Sequence, residues 1–150
     1  LTGKALVAFL MQTVQIAVVL ALGALIFGYR PTGSLIALAA ILLSFSAVLS
    51  ALGVALALWS RSRDAALSLS NIIGMLAAGI GGSFSTVSSF PDWAQHAARL
   101  SPAYWAITAI HKVSLDGASL PDVGAPIGVL WGFFAAIAGL ALIQFRYHRE

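Results

Sequence analysis

The 150-residue sequence is 60% hydrophobic and only 9% charged, with a mean hydropathy of +0.96, whereas soluble domains have about a quarter of their residues charged. This composition excludes an ordinary soluble domain and predicts an all-α integral membrane protein, a polytopic bundle of about four transmembrane helices. The net charge of +3 is spread between apolar runs, which indicates membrane topology rather than nucleic-acid binding, and the absence of cysteine excludes disulfides and thiolate metal sites.

Four apolar runs predict membrane spans over residues 5–27, 35–59, 66–84 and 125–145. At about 1.5 Å per residue, such runs are near the length that a hydrocarbon core of about 30 Å requires. The first run follows Lys4, as the core of a secretory signal peptide would. It is longer than the about 7–15 apolar residues of such a core, and no small-residue cleavage site precedes the second run. We therefore interpret it as a span.

Residues 79–112 are too polar for a plain span and too apolar for a soluble loop. Within residues 91–115 we predict two short amphipathic helices that meet at Pro102, because proline lacks a backbone N–H and ends the preceding helix. Their aromatic side chains are typical of a membrane surface, so we expect both helices to lie at or just inside it. The first helix would have one side formed by Trp93, Ala94, Ala97, Ala98 and Leu100, and the other by Asp92, Gln95, His96 and Arg99.

The basic residues predict the orientation of the four spans. Four spans place both termini on one side of the membrane, and that side carries five of the eight basic residues. We therefore predict a multi-pass protein of a bacterial inner membrane with both ends of this chain cytoplasmic. The termini side has Lys4, Arg61, Arg63, Arg146 and Arg149, and the opposite side has Arg30, Arg99 and Lys112.

Uncharged polar residues within the spans have two open interpretations. Gln12 and Gln15 share one face of the first span, and Asn71 lies near the start of the third. Such side chains either form hydrogen bonds between helices or line a translocation path. We expect no charged residue at mid-membrane, which argues against a proton relay or a voltage sensor.

The last span has a small residue at every fourth position of one face, which lets another helix approach closely. Packing within the chain and dimerisation both fit this pattern. The stripe consists of Gly124, Gly128, Gly132 and Ala136.

The sequence offers little for catalysis or metal binding. His96, His111 and His148 are scattered, so we predict no metal site, and no phosphate-binding loop is present for ATP. Gly81-Gly82-Ser83-Phe84 is similar to the serine motif of intramembrane rhomboid proteases, with His111 as the base. That motif has glycine where this chain has Phe84. We therefore predict no catalytic residue and no enzyme activity in this chain, and keep a serine protease as the alternative.

Several motifs together resemble the membrane subunit of type-2 ATP-binding-cassette (ABC) exporters. The resemblance covers essentially the whole chain, matched to the third through sixth spans of such a permease, so the chain would lack an N-terminal cytoplasmic helix and two spans. It departs from the family at Thr86, where proline is common, and at His111-Lys112, where arginine is common. The motifs are Ala51-Leu-Gly53, the basic turn Trp59-Ser-Arg61-Ser-Arg63, Gly81-Gly82-Ser-Phe84, Phe90-Pro91-Asp92-Trp93 and Leu100-Ser101-Pro102-Ala103-Tyr104-Trp105.

The resemblance implies ATP-driven export of a hydrophobic or amphipathic compound by a permease homodimer or heterodimer. Each permease would be served by a cytoplasmic ABC ATPase, and ATP and Mg would bind there, with no cofactor in this chain. Thr2, Gly3 and Lys4 would end a coupling element to the ATPase. A non-transporting membrane scaffold is a further alternative. The extracellular gate of half-inserted helices would comprise Gly82, Phe84, Pro91, Trp93, Pro102, Tyr104 and Trp105.

Overall fold

A computed structural model describes residues 2–28, 32–83 and 87–147. These residues form six α-helices and no strand, which confirms the prediction of an all-α fold. Short 3-10 turns at Val87–Ser89 and Pro121–Val123 precede the fourth and sixth helices. The helices are α1 (Thr2–Phe27), α2 (Leu35–Trp59), α3 (Arg63–Ile80), α4 (Asp92–Ala98), α5 (Pro102–Leu115) and α6 (Gly124–Tyr147).

Three segments of the described chain are long and apolar enough to cross a membrane, namely Leu6–Ile26, Leu35–Trp59 and Pro121–Phe145. The helix at the third predicted span, α3, differs from them. It has 18 residues and begins with exposed, charged Arg63 and Asp64. At about 1.5 Å per residue it is about 27 Å long, slightly less than a hydrocarbon core of about 30 Å. The boundaries of the four predicted spans stay a prediction.

Serine side chains set the starts of α2 and α3. Ser34 precedes α2 and accepts a hydrogen bond from the backbone N–H of Ala37 at 3.4 Å. Ser62 precedes α3 and accepts one from Ala65 at 3.1 Å. Each serine satisfies an N–H group that has no partner within its own helix. The turn between the end of α2 and the start of α3 is short. The two helices also contact each other.

The central helix of the bundle is α2, which packs against α1, α3, α5 and α6. Eleven of its residues are buried, whereas α3 has no buried residue. Large apolar side chains on α1 and α3 are exposed instead, which is the arrangement expected of surfaces that contact lipid tails or further helices. The fold therefore places α5 against a rigid support formed by α2 and α6.

Candidate functional site

The first half of α5 lies beside the middle of the long helices. Ala106 forms a buried cluster with Val48 and Leu130, and Val48 is near the midpoint of α2. Val113, towards the other end of α5, is buried with Ala37 at the start of α2. Thus α5 runs antiparallel to α2, and its 14 residues extend about 21 Å. This packing places the first half of α5 beside the middle of α2, which is one of the candidate spans. The half-insertion of α5 stays a prediction.

The start of α5 is held by the end of α3. The hydroxyl of Ser101, which is 7% exposed, donates a hydrogen bond to the carbonyl oxygen of Ala77 at 2.9 Å. Gly81 approaches so closely that an added Cβ would lie 2.8 Å from the Cβ of Ala103 and 2.9 Å from the backbone nitrogen of Tyr104. We call these residues the corner contact. The carbonyl oxygen of Ala77 also accepts from the backbone N–H of Gly81 at 2.8 Å, so the Ser101 hydroxyl is a second donor to it and joins the end of α3 to the start of α5.

The end of α5 is held by the turn between α1 and α2. Three backbone N–H groups of that turn donate to carbonyl oxygens at and after the end of α5, and a threonine hydroxyl adds a fourth bond. We call this set the loop contact. Its bonds are Thr32 N to Ser114 O at 3.4 Å, Gly33 N to Val113 O at 2.9 Å, Ser34 N to Ala118 O at 3.3 Å and Thr32 Oγ1 to Ser114 O at 3.0 Å.

Aromatic side chains stabilise the first turn of α5. The rings of Tyr104 and Trp105 are 5.4 Å apart at 86°, an edge-to-face pair. The indole N–H of Trp105 donates to the carbonyl oxygen of Arg99 at 2.8 Å. Pro102 is the first residue of α5, where its missing N–H costs nothing. Three of the predicted gate residues therefore lie together at the turn between α4 and α5.

The short helix α4 differs partly from its predicted pattern. Ala98 is buried and Arg99 is exposed, as predicted, and so are Asp92 and His96. On the predicted apolar side, Trp93 and Leu100 are 75% and 78% exposed, whereas Ala98 is buried and Ala94 and Ala97 are partly buried. The alanines therefore form the packed part of that side. Pro91 is exposed and directly precedes α4.

The other predicted residues do not gather at this site. Gly82 ends α3 with a φ of +94°, and Phe84 lies outside the described residues. Gln12 on α1 and Asn71 on α3 have no hydrogen-bond partner among the described residues, and the same holds for Gln15. Their role in lining a path stays a prediction. At the predicted coupling element, Gly3 and Lys4 are exposed in the first turn of α1, which begins at Thr2.

The small-residue stripe on α6 is exposed. An added Cβ at Gly124, Gly128 or Gly132 would meet nothing within 4 Å, and Ala136 is exposed as well. The described part of the chain therefore does not pack against the stripe. Its use in dimerisation stays a prediction.

The two residues of the protease alternative lie apart. Ser83 directly follows the turn in which Gly81 meets Tyr104. His111 is two turns farther along α5, about 10 Å at about 1.5 Å per residue. It lines a cavity with Val19 of α1 instead. No hydrogen bond between these two side chains occurs in the described structure, so the geometry gives Ser83 no base.

An apolar cavity of about 390 Å³ lies between α1, α2 and α6, towards the side of the bundle that has the termini. The α2 residues that line it are mostly small, and the larger lining side chains belong to α1 and α6. The lining residues are Leu6, Phe9, Ala47, Ser50, Ala51, Val54, Phe134, Ala138, Ala141 and Leu142.

Sequence reasoning missed the residues that hold α5 in place. In the sequence, Ser101 and Gly81 are prominent only as parts of motifs, and no pattern indicates a role for Gly33. A signal was present, because Ala103, Ala106 and Ala109 recur at three-residue spacing and are all buried. A face of alanines on a short helix between two long ones predicts close helix packing, and glycine and serine are the residues that such packing uses.

Comparisons with known proteins identify one family. The family model described as "ABC-2 type transporter" matches residues 1–115 of the chain. The match includes α1 to α5, and with them the corner contact and the bonds of the loop contact to Val113 and Ser114. No curated protein and no solved structure matches the chain significantly.

Proposed function

The chain belongs to the ABC-2 type transporter family, and on that premise we propose that it is the membrane subunit of an ATP-driven exporter for a hydrophobic or amphipathic compound. A separate cytoplasmic ABC ATPase would bind and hydrolyse ATP with Mg. The permease chains would work as a homodimer or heterodimer in a bacterial inner membrane, with both ends of this chain cytoplasmic. Thr2, Gly3 and Lys4 would lie next to the ATPase.

The observation that carries this proposal is the packing of α5, whose first half lies beside the middle of α2 and whose end lies beside the start of α2. A helix that ends inside the membrane can close a path and reopen it by a small shift, since it does not have to be pulled through the bilayer. Its start is held to α3 by the corner contact. We propose that α3 transmits the movement that follows ATP binding, and that the α4–α5 segment is the extracellular gate.

The apolar cavity supports the proposed class of substrate. Its lining is almost wholly apolar, and it opens between α1 and α6. A compound partitioned into the bilayer reaches such a cavity without crossing water. Apolar pockets of several hundred Å³ suit small hydrophobic ligands.

Export and gating are tested together in the complete permease, purified with its ATPase and reconstituted in vesicles. A fluorescent amphipath added with ATP should accumulate on the extracellular face, and without ATP it should not. The variant Gly81→Ala should insert normally and still bind the ATPase, because only the corner contact is crowded. We expect it to reduce export at least tenfold while ATP hydrolysis continues.

Two results would contradict the proposal at different points. A complete permease that purifies without any ATPase would contradict the exporter function. Full export by Gly81→Ala would agree with the exporter function but would contradict the proposal that the α4–α5 segment is the gate. The matched control is Gly53→Ala, since an added Cβ at Gly53 would meet nothing within 4 Å.

A further inference from the structure

Arg99 is a cation at the turn between α4 and α5. Its side chain is exposed, while its carbonyl oxygen is held by the indole of Trp105. Two residues later, Ser101 is buried against Ala77 of α3. The backbone of Arg99 therefore lies at the depth of the corner contact, not at the outer surface where the sequence alone places it.

The charge of Arg99 has no counter-charge in the described part of the chain, where the side chain forms no ion pair. An unpaired cation in hydrocarbon is costly, so such residues face a partner or a water-filled path. An arginine near a helix end can reach the headgroups by extending its side chain. Here the helix that rises to the outer surface is about 21 Å long, so the guanidinium stays below that surface.

Polar residues lead from the start of α4 to this position. Asp92, His96 and Arg99 are all exposed, and their spacing of four and three residues places them on one face of the helix. The alanines of α4 occupy the packed side. A polar face on a half-inserted helix points away from lipid, so we infer that it borders the export path and that Arg99 lies at its inner end.

We propose that the guanidinium of Arg99 binds the acidic headgroup, carboxylate or phosphate, of an exported amphipath, a step that rests on the proposed exporter function. A guanidinium presents several N–H donors in a plane and binds oxyanions through paired hydrogen bonds. Next to it, Leu100 and Trp93 are 78% and 75% exposed. They provide an apolar surface for the tail of the same compound. The substrate class is therefore an anionic amphipath.

The test compares two probes that differ only in charge. The fluorescent fatty acid 11-(dansylamino)undecanoic acid and its methyl ester are titrated against the complete permease with its ATPase, in nanodiscs of phosphatidylcholine. We expect the wild type to bind the acid at least tenfold more tightly than the ester. Arg99→Gln should remove this difference by weakening binding of the acid alone, and Arg99→Lys should restore part of it.

Lys112 provides the matched control, since it is an exposed cation near the other end of α5. Lys112→Gln removes the same charge and should leave the preference for the acid unchanged. An equal loss in both variants would mean that only the overall positive charge matters, and would overturn the proposal. Equal binding of acid and ester by the wild type would overturn it as well, because the guanidinium would then have its partner elsewhere in the protein.

Unchanged binding of the ester by Arg99→Gln shows that this variant is folded. ATP-driven export of both probes is measured on the same complexes in vesicles. Absence of export by the wild type would contradict the exporter function, whereas the binding preference alone decides the role of Arg99. The two failures are therefore distinguishable.

Discussion

The two ends of α5 are held by different kinds of interaction. At the outer end, the loop contact uses three backbone N–H groups that donate to backbone carbonyls. At the inner end, the corner contact has one hydrogen bond from a side chain, that of Ser101, and one close approach of Gly81. This difference indicates which end of α5 can move. Several backbone bonds release together only at high cost, while a single side-chain bond is worth about 1 kcal/mol and can exchange.

This comparison assigns a role to each end. If the α4–α5 segment is the proposed gate, the end at the loop contact would be its fixed hinge, and the end at the corner contact would separate from α3. The following substitutions test that assignment, beginning with the one that should have the largest effect.

Gly33→Ala should disrupt the hinge itself. Its Cβ would lie 2.5 Å from the carbonyl oxygen of Val113 and 2.6 Å from that of Ala118, and backbone atoms cannot rotate away as a side chain does. We expect a loss of about 1–3 kcal/mol in stability, as in other overpacked sites. Thermal unfolding of the purified complete permease measures it. Gly53→Ala, which meets no atom, is the control, and equal stability of the two variants would show that the loop contact is loose.

Ser101→Ala should free the corner without unfolding the bundle. It removes the hydrogen bond to Ala77, so we expect a loss of about 1 kcal/mol and a corner that opens more often. Because the chain has no cysteine, Ala98→Cys, at a fully buried position next to the corner, reports this opening with a membrane-impermeant maleimide. Labelling should be several-fold faster when Ser101→Ala is added.

The control for that experiment is Ser44→Ala. Ser44 is also buried, but its hydroxyl bonds to Ala40 within the same helix at 2.7 Å. Its loss should leave the labelling of residue 98 unchanged. If both serine variants label at one rate, the corner contact does not restrain α5.

Thr32→Val should have the smallest effect. It removes the hydroxyl bond to Ser114 and keeps the backbone bonds of the loop contact. We expect a change in stability below about 1 kcal/mol and no change in the labelling rate of Ala98→Cys. Faster labelling in this variant would mean that the outer end moves as well, and the hinge would have to be placed elsewhere.

Helix positions were predictable because apolar length and proline position are strong local signals. The two helices on either side of Pro102 and the run over Leu35–Trp59 follow directly from them. The sides of α4 were less predictable. Trp93 and Ala98 belong to the same predicted apolar side, but Trp93 is 75% exposed and Ala98 is buried, because the packing of α4 depends on residues far away in the sequence.

The depth of the corner was not predictable for a related reason. The sequence predicts a position outside the membrane for Arg99, because it is a charged residue in a segment between two membrane spans. Its position follows from the bond between Ser101 and Ala77, which are 24 residues apart. Local pattern contains no information on such a pairing. A serine near a helix end fits a cap, an exposed loop or a helix contact equally well.

The limited length of α3 matters for the proposed gate. Its 18 residues make it about 10 Å shorter than the 25-residue α2, at about 1.5 Å per residue. The end of α3 therefore stops short of the level at which α2 begins, and backbone groups at such a helix end need partners within the protein. The corner contact thus covers the end of α3 as well as the start of α5.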